Sequence, residues 1–232
     1  MTAIASAFTS EGFVIGADGR QLGKDNKIFT ESAQKIFNFS YRHVDVAYAW
    51  CGEASAINES NEVLYDLYAI TRVALNSAVQ VARRQFPSFI QQSCEGIYEG
   101  IIKSPIVGQI TNSDSTPESR ARMLLNGYFD EQPFMVEFHV RETDRIRVQA
   151  ERVLRPIPLP TRNLFSGCVR QNKKYENILP ATTREALKLV SDYIQECIDN
   201  SDPDCSGVGG HRHIAHLTPD GFYWIDAPKI SN

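Results

Sequence analysis

Two β-prone runs open the chain, Thr2 to Phe8 and Phe13 to Ala17, and the Ser10-Glu11-Gly12 stretch between them predicts a hairpin. Residues 21–32 are polar and read as a loop. Lys35-Ile36-Phe37-Asn38-Phe39 then alternates apolar with polar, as a half-buried strand does. A further strand, Val44 to Trp50, ends at Cys51-Gly52. Beyond Gly52 the period lengthens: Val63, Leu67, Ile70 and Ala74 fall on one helical face. A second helix follows Pro87 with Phe89, Ile90, Ile97 and Ile101, its end weakened by Gly96, Gly100 and Pro105.

Residues 108–119, rich in Ser, Thr and Asn, read as a surface loop. Strands resume at Met123 to Phe129, Phe134 to Val140 and Ile146 to Ala150. Arg155-Pro156-Ile157-Pro158-Leu159-Pro160 predicts an extended connector, because proline blocks helix and ladder alike. Leu164-Phe165-Ser166-Gly167 ends a short strand or opens a turn. Thr182-Thr183-Arg184-Glu185 has the form of a capping box and starts a helix with Leu187, Val190, Ile194, Cys197 and Ile198 on its apolar face. Thr218-Pro219-Asp220-Gly221 is a turn between two last strands, His211 to Leu217 and Phe222 to Ile225.

Short connections favour antiparallel pairing. Two such sheets with helices packed outside would bury every apolar face, an α+β, four-layer αββα sandwich. Periodicity alone does not choose it over other α+β folds. No internal repeat or composition shift divides the chain, so residues 1–232 read as one domain.

Composition narrows the function classes. Of 232 residues, 42% are apolar and 22% charged, with a net charge of -4, as in an ordinary soluble globular protein. A mildly acidic chain lacks the basic stripe of a nucleic-acid binder, and no apolar run approaches the roughly 20 residues of a membrane helix. The start MTAIASAF has neither the basic nor the long apolar part of a signal peptide, which leaves the cytoplasm as the expected location. Five cysteines (Cys51, Cys94, Cys168, Cys197, Cys205) without CxxC spacing suggest reduced thiols.

Chemistry enters at Thr2. A threonine at a free N-terminus carries a hydroxyl and an α-amine on one residue, and that amine, with a pKa of about 7.7–8.0, is a base near neutrality. Such a base turns a weak hydroxyl into a nucleophile. Alone, Thr2 is merely the residue after Met1. The spacing around it adds more. Thr2-Ala3-Ile4-Ala5-Ser6-Ala7-Phe8 through Gly16-Ala17-Asp18-Gly19-Arg20 resembles the opening of proteasome β subunits and of the bacterial heat-shock-locus peptidase. Asp18 and Arg20 stand at the family's offsets without a gap. Lys35-Ile36-Phe37 matches the family's lysine and following strand one residue late, and Cys51-Gly52 stands where the oxyanion glycine closes the next strand. Each piece also has a bland reading: a turn aspartate, a surface lysine, a glycine bend.

The resemblance implies a threonine-type endopeptidase of the N-terminal nucleophile class, with no cofactor and no catalytic metal. Thr2 would attack the peptide carbonyl, its amine or Lys35 would take the proton, Asp18 would pair with Lys35, Arg20 would be a structural neighbour, and the Gly52 N–H would hold the oxyanion. Ser166-Gly167 fits the family's Ser-Gly turn near the threonine amine. A second serine would be Ser206 with Asp204, although neither Asp202 nor Asp204 has the family's offset and an ungapped alignment from the closing hairpin places Val208 there. The residue two before the oxyanion glycine floors the specificity pocket; here it is Trp50, flanked by Gln21 and Ala33, which would admit small side chains only. The alternative places Trp50 in the core between sheet and helix. His211, His213 and His216 lack zinc-like spacing and read as exposed or interface residues. Implied partners are peptides or unfolded proteins, further copies in a homo-oligomeric ring, and an ATP-dependent unfoldase. A ring scaffold without activity and a small-molecule amidase are the competing functions.

Overall fold

The computed structural model describes residues 2–23, 27–52, 54–57, 63–103, 121–143, 147–153 and 162–229. The opening hairpin is β1 (Ile4–Thr9) with β2 (Gly12–Ala17). A small ribbon, β3 (Gln21–Leu22) with β4 (Ile28–Thr30), precedes β5 (Ile36–Tyr41) and β6 (Val44–Gly52). A second ribbon, β7 (Ser55–Ile57) with β8 (Val63–Asp66), leads into α1 (Leu67–Val81) and α2 (Phe86–Ile102). Then come β9 (Ala121–Phe129), β10 (Gln132–Thr143), β11 (Arg147–Val153) and β12 (Arg162–Ser166). The short α3 (Val169–Tyr175), the long α4 (Thr183–Asp199) and the hairpin β13 (His213–Thr218) with β14 (Gly221–Asp226) follow.

The strands form two five-stranded antiparallel sheets, β12-β1-β2-β13-β14 and β11-β10-β9-β6-β5. Three cores separate four layers. Trp50, Tyr48, Met123 and Phe138 meet α1 and α2 on the outside of the second sheet. Ala3, Ala5 and Ala7 meet α3 and α4 on the outside of the first. Ile4, Phe13, Ile15, Ile36, Ala49 and Leu124 fill the space between the sheets. The fold is the αββα sandwich that the pattern of strands and helices suggests. β1 and β2 are buried at every position because both of their faces are covered. Among the described residues no helix is long and apolar enough to cross a membrane.

Local differences from the sequence reading have local causes. Residues 21–32 carry the β3–β4 ribbon, on which Ile28 and Phe29 are exposed. Val63 lies in β8, not on the helix: α1 starts after Asp66, whose Oδ1 accepts the N–H groups of Tyr68 and Ala69. α2 runs through both of its late glycines. A Cβ at Gly96 would lie 2.9 Å from the Ala74 Cβ, and one at Gly100 2.5 Å from the Ile70 Cγ2. The poor helix propensity of glycine, about 1 kcal/mol each, is offset by the close approach of α1. The capping box is displaced by one residue on its return side. Thr182 Oγ1 accepts from Glu185 N at 3.3 Å, but the Glu185 carboxylate accepts from Ala181 N at 2.7 Å. The expected loop at 108–119 and the connector at 155–160 lie outside the described residues.

Two of the five expected thiols are joined. Cys168 and Cys205, 37 residues apart, form a disulfide with their Cα atoms 5.0 Å apart, while Cys51, Cys94 and Cys197 keep their thiols. Spacing along the chain could not show this pair, because the fold brings the start of α3 against the turn after α4.

β2 also packs closely on α4, where a Cβ on Gly16 would overlap Val190 Cγ1. Gly16→Ala should therefore destabilise the chain by about 1–3 kcal/mol in urea unfolding. Gly23→Ala, whose Cβ would meet only ordinary contacts, should change stability by less than about 0.5 kcal/mol.

Candidate active site

The candidate residues gather at one end of the sandwich, where the two sheets face each other. Thr2 precedes β1 and Asp18 follows β2, both in the first sheet; Lys35 precedes β5 and Gly52 ends β6, both in the second. Antiparallel pairing of β1 with β2 sets Ile4 opposite Ala17, so Thr2 and Asp18 emerge side by side. The start of β5 opposite Ala49 brings Lys35 level with them.

Asp18 is fully buried, and its carboxylate is surrounded by donors. Oδ1 accepts from Ala3 N at 2.9 Å and from Lys35 Nζ at 3.0 Å. Oδ2 accepts from Gly209 N at 3.0 Å and from Arg20 N at 3.3 Å. A buried carboxylate is tolerable on those terms. Lys35 is 5% exposed, and its Nζ also lies 3.1 Å from Thr2 Oγ1. Thr2, 7% exposed, is gripped from the other sheet as well, its carbonyl accepting from Cys51 Sγ at 2.9 Å. On the third side stands the Ser166-Gly167 turn. Gly167 has φ +127°, and a Cβ there would lie 2.9 Å from Thr2 O and Ala3 Cα. Ser166 itself is buried, and its carbonyl accepts from Tyr193 Oη.

Among the described residues the Arg20 side chain makes no hydrogen bond to Thr2. Its guanidinium grips Glu31 in a two-pronged pair, Nη2 to Oε1 at 2.9 Å and Nε to Oε2 at 3.1 Å, and Nη1 donates to Val208 O at 3.3 Å. Its N–H also donates to Gly209 O at 2.7 Å. The arginine thus staples the 208–210 loop to Glu31, and Gly209 is required where its own Cβ would collide with the guanidinium.

An open pocket of about 190 Å³ lies beside Thr2, with Lys35, Gly52, Gln21, Ala33, Ser55 and Tyr68 among its walls. Gly52 has φ +94° and is exposed to it. Gln21 Nε2 donates to Ser55 Oγ at 3.3 Å, and Tyr68 Oη to Trp50 O at 3.3 Å. Burial pushes the Tyr68 phenol far above its ordinary pKa, so it stays protonated.

Three expectations need correction. Trp50 does not floor the pocket: it is fully buried on the helix side of its sheet, with Nε1 donating to Thr71 Oγ1 of α1 at 3.0 Å. An indole with a hydrogen-bond partner inside a core is its ordinary place. Ser206 is exposed, and among the described residues no hydrogen bond joins it to Thr2, Asp18 or Lys35. Its loop instead sends the Gly209 N–H to Asp18, and the Asp204 side chain lies outside what is described. His213 is neither exposed nor at an interface of this chain's surface. It is fully buried, opposite Ala17 on β2, and its Nε2 accepts from Lys35 N at 3.3 Å.

Sequence reasoning missed Glu31, Gly209 and the placement of His213. The Gly207-Val208-Gly209-Gly210 run was the available signal for the second. Among the described residues no three His, Cys, Asp or Glu side chains are arranged to hold a metal ion.

Removing one member of a buried pair leaves the other uncompensated. Asp18→Ala should cost about 3–5 kcal/mol of stability. Asp18→Ala and Lys35→Met together should cost less than the sum of the two alone, by about 0.5–3 kcal/mol in a double-mutant cycle of urea unfolding.

No family model matches the chain, and no curated protein matches it in sequence. Solved structures do share its fold. One is a mutant of Anbu from Hyphomicrobium sp. strain MC1, with a TM-score of 0.57 at 12% identity over 98% of this chain and 88% of that chain. Another is Anbu, described as an ancestral beta-subunit, from Yersinia bercovieri, with a TM-score of 0.54 at 13% identity over 97% of this chain and 87% of that chain. At these identities the likeness is one of fold.

Proposed function

We propose that the chain is an N-terminal nucleophile hydrolase that cleaves peptide bonds with the Thr2 hydroxyl once Met1 has been removed. The observation that carries this reading is the 3.1 Å approach of Lys35 Nζ to Thr2 Oγ1, with the same ammonium held at 3.0 Å by a fully buried carboxylate. A positive charge so fixed favours the alkoxide form of the hydroxyl. Thr2 Oγ1 attacks the substrate carbonyl carbon, and its proton passes to the freed α-amine or through Lys35. The oxyanion forms beside Gly52, whose N–H is the proposed donor; one such donor contributes roughly 10²–10³ in rate. Collapse expels the amine with a proton and leaves an ester on Thr2, which water hydrolyses.

The proposal extends to a homo-oligomeric ring that encloses the sites, fed by peptides or by an unfoldase. It treats residues 1–232 as one domain. The proposed location is the cytoplasm, with the Cys168–Cys205 bridge the observation that argues against it. The scaffold reading is disfavoured by the Thr2, Lys35 and Asp18 geometry, which a scaffold has no need to hold. A small-molecule amidase would use the same nucleophile, and a pocket of about 190 Å³ suits a small acyl group.

The test is intact-mass measurement before and after treatment with a β-lactone. Loss of Met1 and a single acyl adduct on Thr2 are expected. Thr2→Ala should keep the fold and lose the adduct and all peptide turnover; wild-type turnover in that variant would sink the proposal. The pocket walls carry amide, hydroxyl and methyl groups beside the cations of Arg20 and Lys35, so a fluorogenic panel should show cleavage after Ala, Ser or Gln in preference to Arg or Lys. Trp50→Ala should not open cleavage after Leu or Tyr. It should lower stability by about 3–5 kcal/mol, as the loss of a core tryptophan does.

A further inference from the structure

Lys35 ends a stretch, residues 31–35, that belongs to no strand or helix. Its backbone is therefore placed by contacts outside the strand ladder. His211 N donates to Glu31 O at 2.7 Å and Ala33 N to Gly19 O at 2.7 Å, which holds the stretch at two points. At Lys35 itself the backbone N–H goes to a side chain, the imidazole of His213, at 3.3 Å.

We propose that His213 is a positioning residue for Lys35: a neutral imidazole whose Nε2 fixes the backbone from which the ammonium reaches Thr2 and Asp18. His213 is fully buried and sits opposite Ala17, the residue before Asp18. Its ring stands edge-on to Trp224, with centroids 6.1 Å apart. An accepting Nε2 requires the proton on Nδ1. Burial and then the charge of Lys35 lower the His213 pKa to about 4, with His211 adding to the effect and the His211 backbone and Asp226 opposing it. Above that pH the acceptor is intact. Below it, Nε2 becomes a donor facing another donor, and a second cation stands beside Lys35.

The kinetic consequence rests on Thr2 being the nucleophile; the anchoring of Lys35 does not. Two readouts separate them. Hydrogen exchange of the Lys35 amide reports the anchor, and the rate of Thr2 acylation by a β-lactone, followed by intact mass, reports its effect. His213→Leu removes the acceptor, and His213→Gln keeps one that does not titrate near pH 4. In the Leu variant, Lys35 protection and the acylation rate should each fall on the order of tenfold, the loss of one buried hydrogen bond, while Ile36 to Tyr41 stay protected. The Gln variant should recover most of both. Protection at Lys35 in the native chain should fall as the pH is taken below about 4, and in the Gln variant it should not. Native-like protection and acylation in the Leu variant, or a Gln variant as impaired as Leu, overturns the inference. A native chain that is never acylated would defeat the nucleophile reading while the exchange data still decide the role of His213. If the Leu variant does not fold, the pH response of native and Gln chains decides it.

Discussion

Taking a carboxylate and an ammonium out of water costs several kcal/mol for each, and the cost is recovered only where the two charges are close and further hydrogen bonds surround them. Asp18 and Lys35 meet that condition through contributions from four separate stretches of chain: the start of β1, the turn after β2, the loop after α4, and the approach to β5. Much else follows from this pair. It explains why the 208–210 loop returns to the site, why Arg20 and Glu31 are spent on holding that loop, and why Gly209 has no side chain. It also places the Thr2 hydroxyl, because the proton donor of the pair is shared with it.

The pair was legible in the sequence through the resemblance that its spacing carries, not through a local rule that joins the two residues. Local pattern only set Asp18 after a hairpin and Lys35 just before a strand with a visible alternation. The elements of the sandwich were legible locally, since its strands alternate or are buried on both faces and its helices keep a helical period, but periodicity alone did not choose this layering over other α+β folds. What was not legible depends on contacts between distant stretches. Gly209 is 191 residues from Asp18, and His213 is 178 from Lys35. The Cys168–Cys205 pair is hidden for the same reason. Trp50 shows another limit: on a strand covered on both sides, alternation gives two faces but does not say which one belongs to the pocket.

The pocket has accordingly a different character from one floored by an indole. Its walls come from β3, the 33–35 stretch, the start of β7 and the first turn of α1, where Tyr68 closes over the Trp50 carbonyl. Short ribbons have few ladder bonds of their own and take their positions from neighbours such as the Gln21–Ser55 bond. The charge network is thus buried, while part of the pocket wall is built on short ribbons.

Thr2 and Asp18 adjoin strands of one sheet, and Lys35 between them adjoins a strand of the other. The hydroxyl-to-ammonium distance is therefore measured across the gap between the sheets, and that gap is filled by Ile4, Phe13, Ile15, Ile36, Ala49 and Leu124. Packed sheets stand about 10 Å apart by virtue of the side chains between them. A methylene gained or lost in that layer, touching none of Thr2, Asp18 and Lys35, alters the separation on which the proposed proton transfer depends. Under the proposed chemistry, side-chain volume in this layer is a spacer that sets reactivity, and selection on the chemistry is also selection on the size of residues that never meet a substrate.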